Sequence, residues 1–412
     1  MIQNAASEDP TRRGSKRSRS FADTLTPCNE DWLLQRPMKI IPPPLILLAT
    51  FGVARTIAYD SRSMSSASSI SPRLSKEMRL ECRIIVVGAN GNVGKGILDA
   101  ASKRLSKQIG RQWSVVAVDP AFEDGNEGSD QHQIHPSTLE DINEEIFDKW
   151  FDLAQHTEFV YAAEDGNRDN YASNPKLGQE NEDRFQSFVK RVAACTRKKQ
   201  NTRTHISYIG GSWTRRQAID GIVSDSSPTK SGGGSNPYEI AKTRAESTAC
   251  QLSANLGVGI TFFDMISVTP NYAPNFSVNR MVSSAIETGI IRYSPGDYGR
   301  PLLHTNQAGD MVVSLIERRI DYGATAGSYE VVLIPGHFVP FGDFALIAKE
   351  VVERSGKRQN IILEEQMGET PAVLKTRCIS RCLRDMGLVP NGKMVIDGLR
   401  QSAEAALDAI KC

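Results

Sequence analysis

What this sequence lacks narrows the field first. It has no surplus of charge: 49 Lys and Arg stand against 48 Asp and Glu, a net of +1. The imbalance there is lies in residues 1–79, with 12 bases and 7 acids, so the rest of the chain carries four more acids than bases. A mildly acidic body is a poor binder of a phosphate backbone, and nucleic acid is not an expected partner. There is no disulfide framework either. The seven cysteines, Cys28, Cys82, Cys195, Cys250, Cys378, Cys382 and Cys412, are odd in number and scattered. Cys378 and Cys382 are four apart on an expected helix without a second ligand pair nearby, so they read as ordinary thiols and no metal site is expected. His132 and His135 read as strand-end or loop residues. No hydrophobic run is long enough to span a bilayer stably: residues 38–54 are short and broken by Pro42, Pro43 and Pro44.

What is present divides into a tail and a body. Residues 1–37 are polar, with a basic cluster at Arg12, Arg13, Lys16, Arg17 and Arg19, and read as disordered rather than as a nuclear signal. Residues 38–54 resemble a signal-peptide core should translation start at Met38, with Lys39 in front and Gly52 and Ala54 behind. Residues 61–75 are Ser-rich with scattered Arg and suit a transit peptide or a plain linker. Residues 1–79 are therefore set aside as a disordered or targeting tail. The expected protein is soluble and intracellular, either cytoplasmic or imported into an organelle.

From residue 83 the pattern changes. Residues 83–87 (RIIVV) form a short apolar β-branched run, as expected of a strand buried on both faces of a parallel sheet. Val93, Ile97, Leu98, Ala101 and Leu105 then recur at helical spacing. Further strands are expected at 115–118, 159–162, 205–209 and 260–266, with helices at 182–197 and 238–256 and an exposed loop at 121–131. Strands alternating with helices predict a Rossmann-type doubly wound parallel α/β sheet, with ligands at the carboxyl ends of the strands. Residues 80–265 are expected to form a dinucleotide-binding domain. Residues 266–412 are expected to form mostly a smaller substrate-binding lobe, with some segments returning to the first core.

The turn after the first strand reads Gly88-Ala89-Asn90-Gly91-Asn92-Val93-Gly94. Glycines so spaced between a buried strand and a helix let the backbone approach a pyrophosphate, which rests on the helix N-terminus. The second strand ends at Asp119, 31 residues beyond Gly88. A carboxylate there can accept hydrogen bonds from ribose hydroxyls and repels a 2′-phosphate, which points to NAD rather than NADP. Further on, Tyr238 and Lys242 are four apart and share a helix face. An ammonium beside a phenol favours phenolate and makes Tyr238 a candidate acid/base between a carbinol and a carbonyl. Ser212 stands 26 residues before Tyr238, at the end of a strand, where its hydroxyl could hold the substrate oxygen.

This order of features resembles the extended branch of the short-chain dehydrogenase/reductase family, the NAD-dependent epimerase/dehydratase type, over most of 83–412. The resemblance implies cofactor contacts from Gly88, Asn90, Gly91, Asn92, Val93 and Gly94, and from Asp119. It implies a small pair over the cofactor at Ala162-Ala163, a following Pro175 and helix-starting Asn181, and a catalytic Ser212, Tyr238 and Lys242. Arg300, four before His304, is similar to the Arg that helps hold the diphosphate in nucleotide-sugar members, and His304 is expected to be structural. Four places depart from the pattern. Gly210-Gly211 replace the usual Ser-Ser, Arg184 replaces a Gly, and Phe263 and Ile266 replace an Arg and an Asn, the latter often facing the sugar. The resemblance implies hydride transfer at a secondary alcohol or ketone carbon of a small molecule, with a nucleotide sugar first in rank. Trp213 and Thr214 after Ser212 supply no acid, which counts against dehydration. A net dehydrogenase or reductase of another carbonyl substrate, a non-catalytic NAD sensor or assembly factor, and a homodimer all stay open.

Overall fold

The first strand, β1 (Leu80–Val87), enters the glycine turn, and α1 (Asn92–Leu105) leaves it. Then follow β2 (Arg111–Val118), β3 (His132–His135), α2 (Glu144–Lys149), β4 (His156–Tyr161), α3 (Arg168–Ser173), α4 (Leu177–Lys198), β5 (Arg203–Ser212) and β6 (Ile222–Val223). The middle of the chain forms α5 (Pro237–Leu256), β7 (Gly259–Met265), β8 (Ser267–Thr269), α6 (Ser277–Thr288), β9 (Ile290–Tyr293), β10 (Gly299–His304) and α7 (Thr305–Tyr322). The remainder is β11 (Tyr329–Leu333), β12 (His337–Pro340), α8 (Phe341–Arg354), β13 (Ile362–Glu365), β14 (Arg377–Cys378), α9 (Arg381–Asp385) and α10 (Gly392–Ala409). The structure is a computed structural model that describes residues 80–105, 111–122, 132–152, 154–199, 203–234, 236–322, 327–366 and 375–410. The expectations for residues 1–79, for Cys28 and Cys412 and for most of the 121–131 loop lie outside these.

Seven strands pair in the order β11-β7-β5-β4-β1-β2-β3, and every pairing is parallel. This is the doubly wound sheet the alternation predicted. Alternate residues of β1 enter opposite cores. Ile84 and Val86 pack with Ile97 of α1 and Val312 and Ile316 of α7. Ile85 and Val87 pack with Phe185 and Val189 of α4 and Ala249 of α5. A third core joins α6, α8 and α10 through Val282, Phe344 and Leu399. Two segments after residue 266 therefore serve the main sheet: β11 extends it and α7 covers it.

The strands run longer than their apolar runs. β4 begins at His156 because His156, Thr157 and Glu158 are buried in a polar network. Glu158 accepts hydrogen bonds from Ser207 Oγ (2.7 Å) and Arg319 Nη1 (2.8 Å). Buried polar groups with partners are compatible with a central strand, but a hydropathy reading takes them for a loop. The same reading passes over β3 (HQIH), of which His132 and His135 are the two ends. One expectation is overturned: Cys378 and Cys382 do not share a helix. Cys378 lies on β14, paired with β6, and Cys382 lies on α9. Between them Ser380 caps α9, accepting from the Leu383 N–H, and its Oγ donates to Asp225 at 3.0 Å.

Candidate active site

The glycines of the turn do different work. Gly88 has a positive φ of 79°, and a Cβ on it would lie 2.6 Å from the Ala162 carbonyl oxygen and 2.7 Å from the Ala163 Cα. A Cβ on Gly94 would lie 2.2 Å from the Gly88 carbonyl oxygen. The turn is thus packed closely between the start of α1 and the segment after β4, with no room for a side chain at Gly88 or Gly94. That is the form of surface a pyrophosphate needs. Asp119 directly follows β2, beside this turn. Its Oδ2 accepts from the Asn90 N–H and its Oδ1 from the Ala121 N–H, both at 2.9 Å. A carboxylate has about four acceptor sites, so each oxygen keeps capacity for a ribose hydroxyl. Asn92 is tied back: its amide donates to the Pro270 carbonyl at 3.2 Å, and its own carbonyl accepts from Thr305 Oγ1 at 3.0 Å. Val93 lies half-buried at the start of α1 against the first core.

Tyr238 and Lys242 occupy the first turns of α5. Asn236 caps the helix, its side chain accepting from the Glu239 N–H at 3.0 Å, and Pro237 takes the first helical position. Lys242 is only 3% exposed. Its ammonium lies 5.4 Å from the Tyr238 ring centroid and 5.4 Å from that of Tyr171, and the two rings meet edge to face at 5.1 Å. Asn181, buried on α4, donates to Tyr171 Oη at 3.1 Å, and Tyr171 donates to the Asp165 carbonyl at 2.9 Å. Asn181 therefore reaches Lys242 only through Tyr171.

Sequence reasoning missed the residue after Ala162-Ala163. The Glu164 carboxylate pairs with the Lys242 ammonium through one oxygen and accepts the Tyr208 hydroxyl through the other. Burial alone would lower the Lys242 pKa, but the Glu164 carboxylate outweighs it, with help from Tyr238 and Tyr171, and holds it above the usual lysine range. Burial followed by the Glu164 charge pushes the Tyr208 phenol well above its ordinary value. The acid itself, shortly after the end of β4, was visible in the sequence, but its burial and its cation were not. It went unread because polar loop residues are usually solvated.

Ser212 ends β5 and is 5% exposed, with its hydroxyl 3.0 Å from Thr214 Oγ1. The strand runs through Gly210-Gly211 across an irregularity in its pairing with β7. These glycines are required where they stand: a Cβ on Gly210 would lie 2.4 Å from the Tyr208 ring and one on Gly211 2.2 Å from Asp264 Oδ1. Directly after Thr214, Arg215 and Arg216 both bond Asp264 of β7 (Arg215 Nη2 at 2.6 Å, Arg216 Nε at 2.6 Å), and both bond Glu246. Glu246 lies one turn beyond Lys242 on α5. This buried network fastens the Ser212 turn to the helix that carries Tyr238 and Lys242, and the sequence reading did not foresee it.

The replaced family positions are apolar core: Phe263 is fully buried and Ile266 nearly so. Arg300 on β10 stands with its guanidinium 5.8 Å from the Phe341 ring centroid. No carboxylate pairs with it among the described residues, and burial, then the nearby Arg168, lowers its pKa. His304 Nδ1 accepts from the Asn306 N–H at 3.2 Å. No described helix is long and apolar enough to cross a membrane.

No family model and no curated protein matches the chain. Solved structures do. The UDP-glucuronic acid 4-epimerase of Bacillus cereus, in complex with UDP-glucuronic acid and NAD, is 14% identical, with a TM-score of 0.57 over 79% of this chain and 99% of its own. A UDP-N-acetylglucosamine 4-epimerase of Methanobrevibacter ruminantium is 15% identical, with a TM-score of 0.56 over 79% and 98%. The dTDP-glucose 4,6-dehydratase of Bacillus anthracis, in complex with NAD, is 12% identical, with a TM-score of 0.52 over 80% and 98%. The chain shares its fold with these enzymes.

Proposed function

We propose that this protein is an NAD-dependent enzyme of the epimerase/dehydratase type, transferring hydride at a secondary alcohol or ketone carbon of a small molecule, a nucleotide sugar first. The observation that carries the reading is the buried Lys242 ammonium facing the Tyr238 ring from the same turn of α5. It is joined to the glycine turn through Glu164 and the Ala162-Ala163 pair packed on Gly88. The residues fit the cofactor: the closely packed glycine turn would take the pyrophosphate, Asp119 the adenosine ribose and Lys242 the nicotinamide ribose. When bound, NAD supplies the hydride acceptor and, in an epimerase, returns the hydride to the same carbon.

The chain's own residues do the rest. Ser212 holds the substrate oxygen. Tyr238 takes the hydroxyl proton as the carbinol is oxidised and gives it back on reduction. Arg300, a desolvated cation without a carboxylate partner among the described residues, favours an anionic substrate such as a diphosphate ester. Retention of the ketone gives epimerisation and its release gives net oxidation. The absence of an acid at Trp213 and Thr214 weighs against dehydration.

The test begins with a panel of UDP-sugars and simple secondary alcohols supplied with NAD. On the substrate that responds, Tyr238→Phe should keep fold and NADH affinity while turnover falls on the order of 10²–10⁴-fold. Lys242→Met should weaken NADH binding as well as turnover, and Ser212→Ala should slow turnover alone. Parent-level turnover in Tyr238→Phe would remove Tyr238 from the mechanism.

A further inference from the structure

Lys242 has two of its three donors already engaged. An ammonium has three N–H donors and accepts nothing. One goes to Glu164 and a second faces the Asp165 carbonyl at 3.4 Å. The Tyr171 and Tyr238 rings lie over the charge, and the side chain has almost no access to water. Glu164 is held equally firmly, because its other oxygen is occupied by the fully buried Tyr208 hydroxyl. The two hydroxyls of a nicotinamide ribose would bring the demands on this ammonium to four, one more than it has donors. Either the ribose receives fewer hydrogen bonds or Glu164 gives up its own.

From this geometry we infer that Glu164 competes with the dinucleotide for Lys242 and so holds cofactor affinity down. This rests on the assignment of Lys242 to the nicotinamide ribose. The groups that face the pair are Tyr171 from α3, Tyr208 from β5, Tyr238 from α5 and the Asp165 carbonyl. Among the described residues Glu164 is the carboxylate paired with the Lys242 ammonium, so its removal changes the charge available to a ligand. A carboxylate is a stronger acceptor from an ammonium than a neutral hydroxyl is, so the competition is real rather than nominal.

The experiment is a fluorescence titration of NADH into the full-length protein and into Glu164→Gln, Lys242→Met and the double variant. Gln keeps the shape and the bond from Tyr208 while removing the charge. Glu164→Gln should bind NADH roughly tenfold more tightly than the parent, the scale of one hydrogen bond to a charged group. In the Lys242→Met background the same change should alter affinity by less than about twofold, because the object of the competition is gone. A general structural role for Glu164 would instead weaken binding in both backgrounds. Unchanged or weaker NADH binding in Glu164→Gln, with its unfolding midpoint intact, overturns the inference. Should Gln not fold, Glu164→Ala carries the same comparison. Parent-like NADH affinity in Lys242→Met overturns the ribose assignment itself, an outcome distinct from a failure of Glu164 alone.

Discussion

Asp119 has two occupations, and they can be separated by measurement. Its carboxylate already ties the glycine turn to the end of β2 through the Asn90 and Ala121 N–H groups. In the proposed function it also excludes a 2′-phosphate by charge. The parent should bind NADH far more tightly than NADPH. Asp119→Ser keeps one acceptor and removes the charge, so it should weaken NADH binding while moving the NADH to NADPH ratio toward NADPH by on the order of tenfold or more. Paired titrations of the two reduced cofactors read this ratio directly. A ratio left at the parent value would confine Asp119 to its role in the turn. Thr214 and Ser212 offer a similar contrast: their shared hydrogen bond orients the serine hydroxyl, although only Ser212 is expected to meet substrate.

Among the elements, α1 and α7 carry the dinucleotide-binding turn together, although they lie two hundred residues apart. They cross backbone to backbone. A Cβ on Gly96 would lie 2.2 Å from the Thr305 carbonyl oxygen, and one on Gly309 1.9 Å from the Gly96 carbonyl oxygen. In an ordinary helix interior, Gly→Ala gains roughly 1 kcal/mol from propensity. At this crossing the methyl meets only backbone, which cannot rotate aside, and forcing atoms into a packed core costs about 1–3 kcal/mol. Gly309→Ala should therefore lower stability. Gly342→Ala on α8 should be neutral or stabilising, because its Cβ would lie 3.6 Å from the Tyr293 ring, an ordinary contact. Urea unfolding of both variants compares one substitution at two sites. Equal midpoints would mean that α1 and α7 can separate without loss. Gly309→Ala should also weaken NADH binding, since α1 presents the turn.

Across the whole molecule, the buried polar network at the amino end of the sheet ties acid stability to two groups. Burial, then Arg319, lowers the His205 pKa to about 3, against the opposing pull of Glu158. Its Nε2 lies 2.9 Å from Thr261 Oγ1. For Glu158, burial pushes upward, but Arg319, His205 and His156 together outweigh it and hold the carboxyl far below the usual range. Both native values are depressed, so the unfolded chain binds protons that the native chain refuses. For His205 the contribution to stability is complete above about pH 6.5 and is lost as pH falls from there toward 3; for Glu158 the loss begins near pH 4.3. Stability should fall by about 1.4 kcal/mol per pH unit for each group within its window. Thermal midpoints should drop between pH 7 and pH 4, and His205→Asn should flatten the part above pH 4.5. A slope unchanged in that variant would exclude His205 as its source.

The sequence by itself determined the alternation of strands and helices, the glycine turn, Asp119 directly after β2 and the Tyr238–Lys242 face of α5. Each of these is a local pattern: apolar period, glycine spacing, or side chains one helical turn apart. The parallel sheet follows from them because alternating strands and helices can bury their apolar faces in few other ways. Only the tertiary structure decided what meets those residues. Glu164 reaches Lys242 from 78 positions away, and Asp264 reaches Arg215 from 49. The polar starts of β4 and the whole of β3 became strands because their side chains found partners or edges that hydropathy does not register. Cys378 and Cys382 parted because Ser380 found Asp225, 155 residues earlier, and began a new helix there. A buried ion pair leaves no local signature, since a carboxylate reads as a solvated loop residue until the cation that satisfies it is brought beside it.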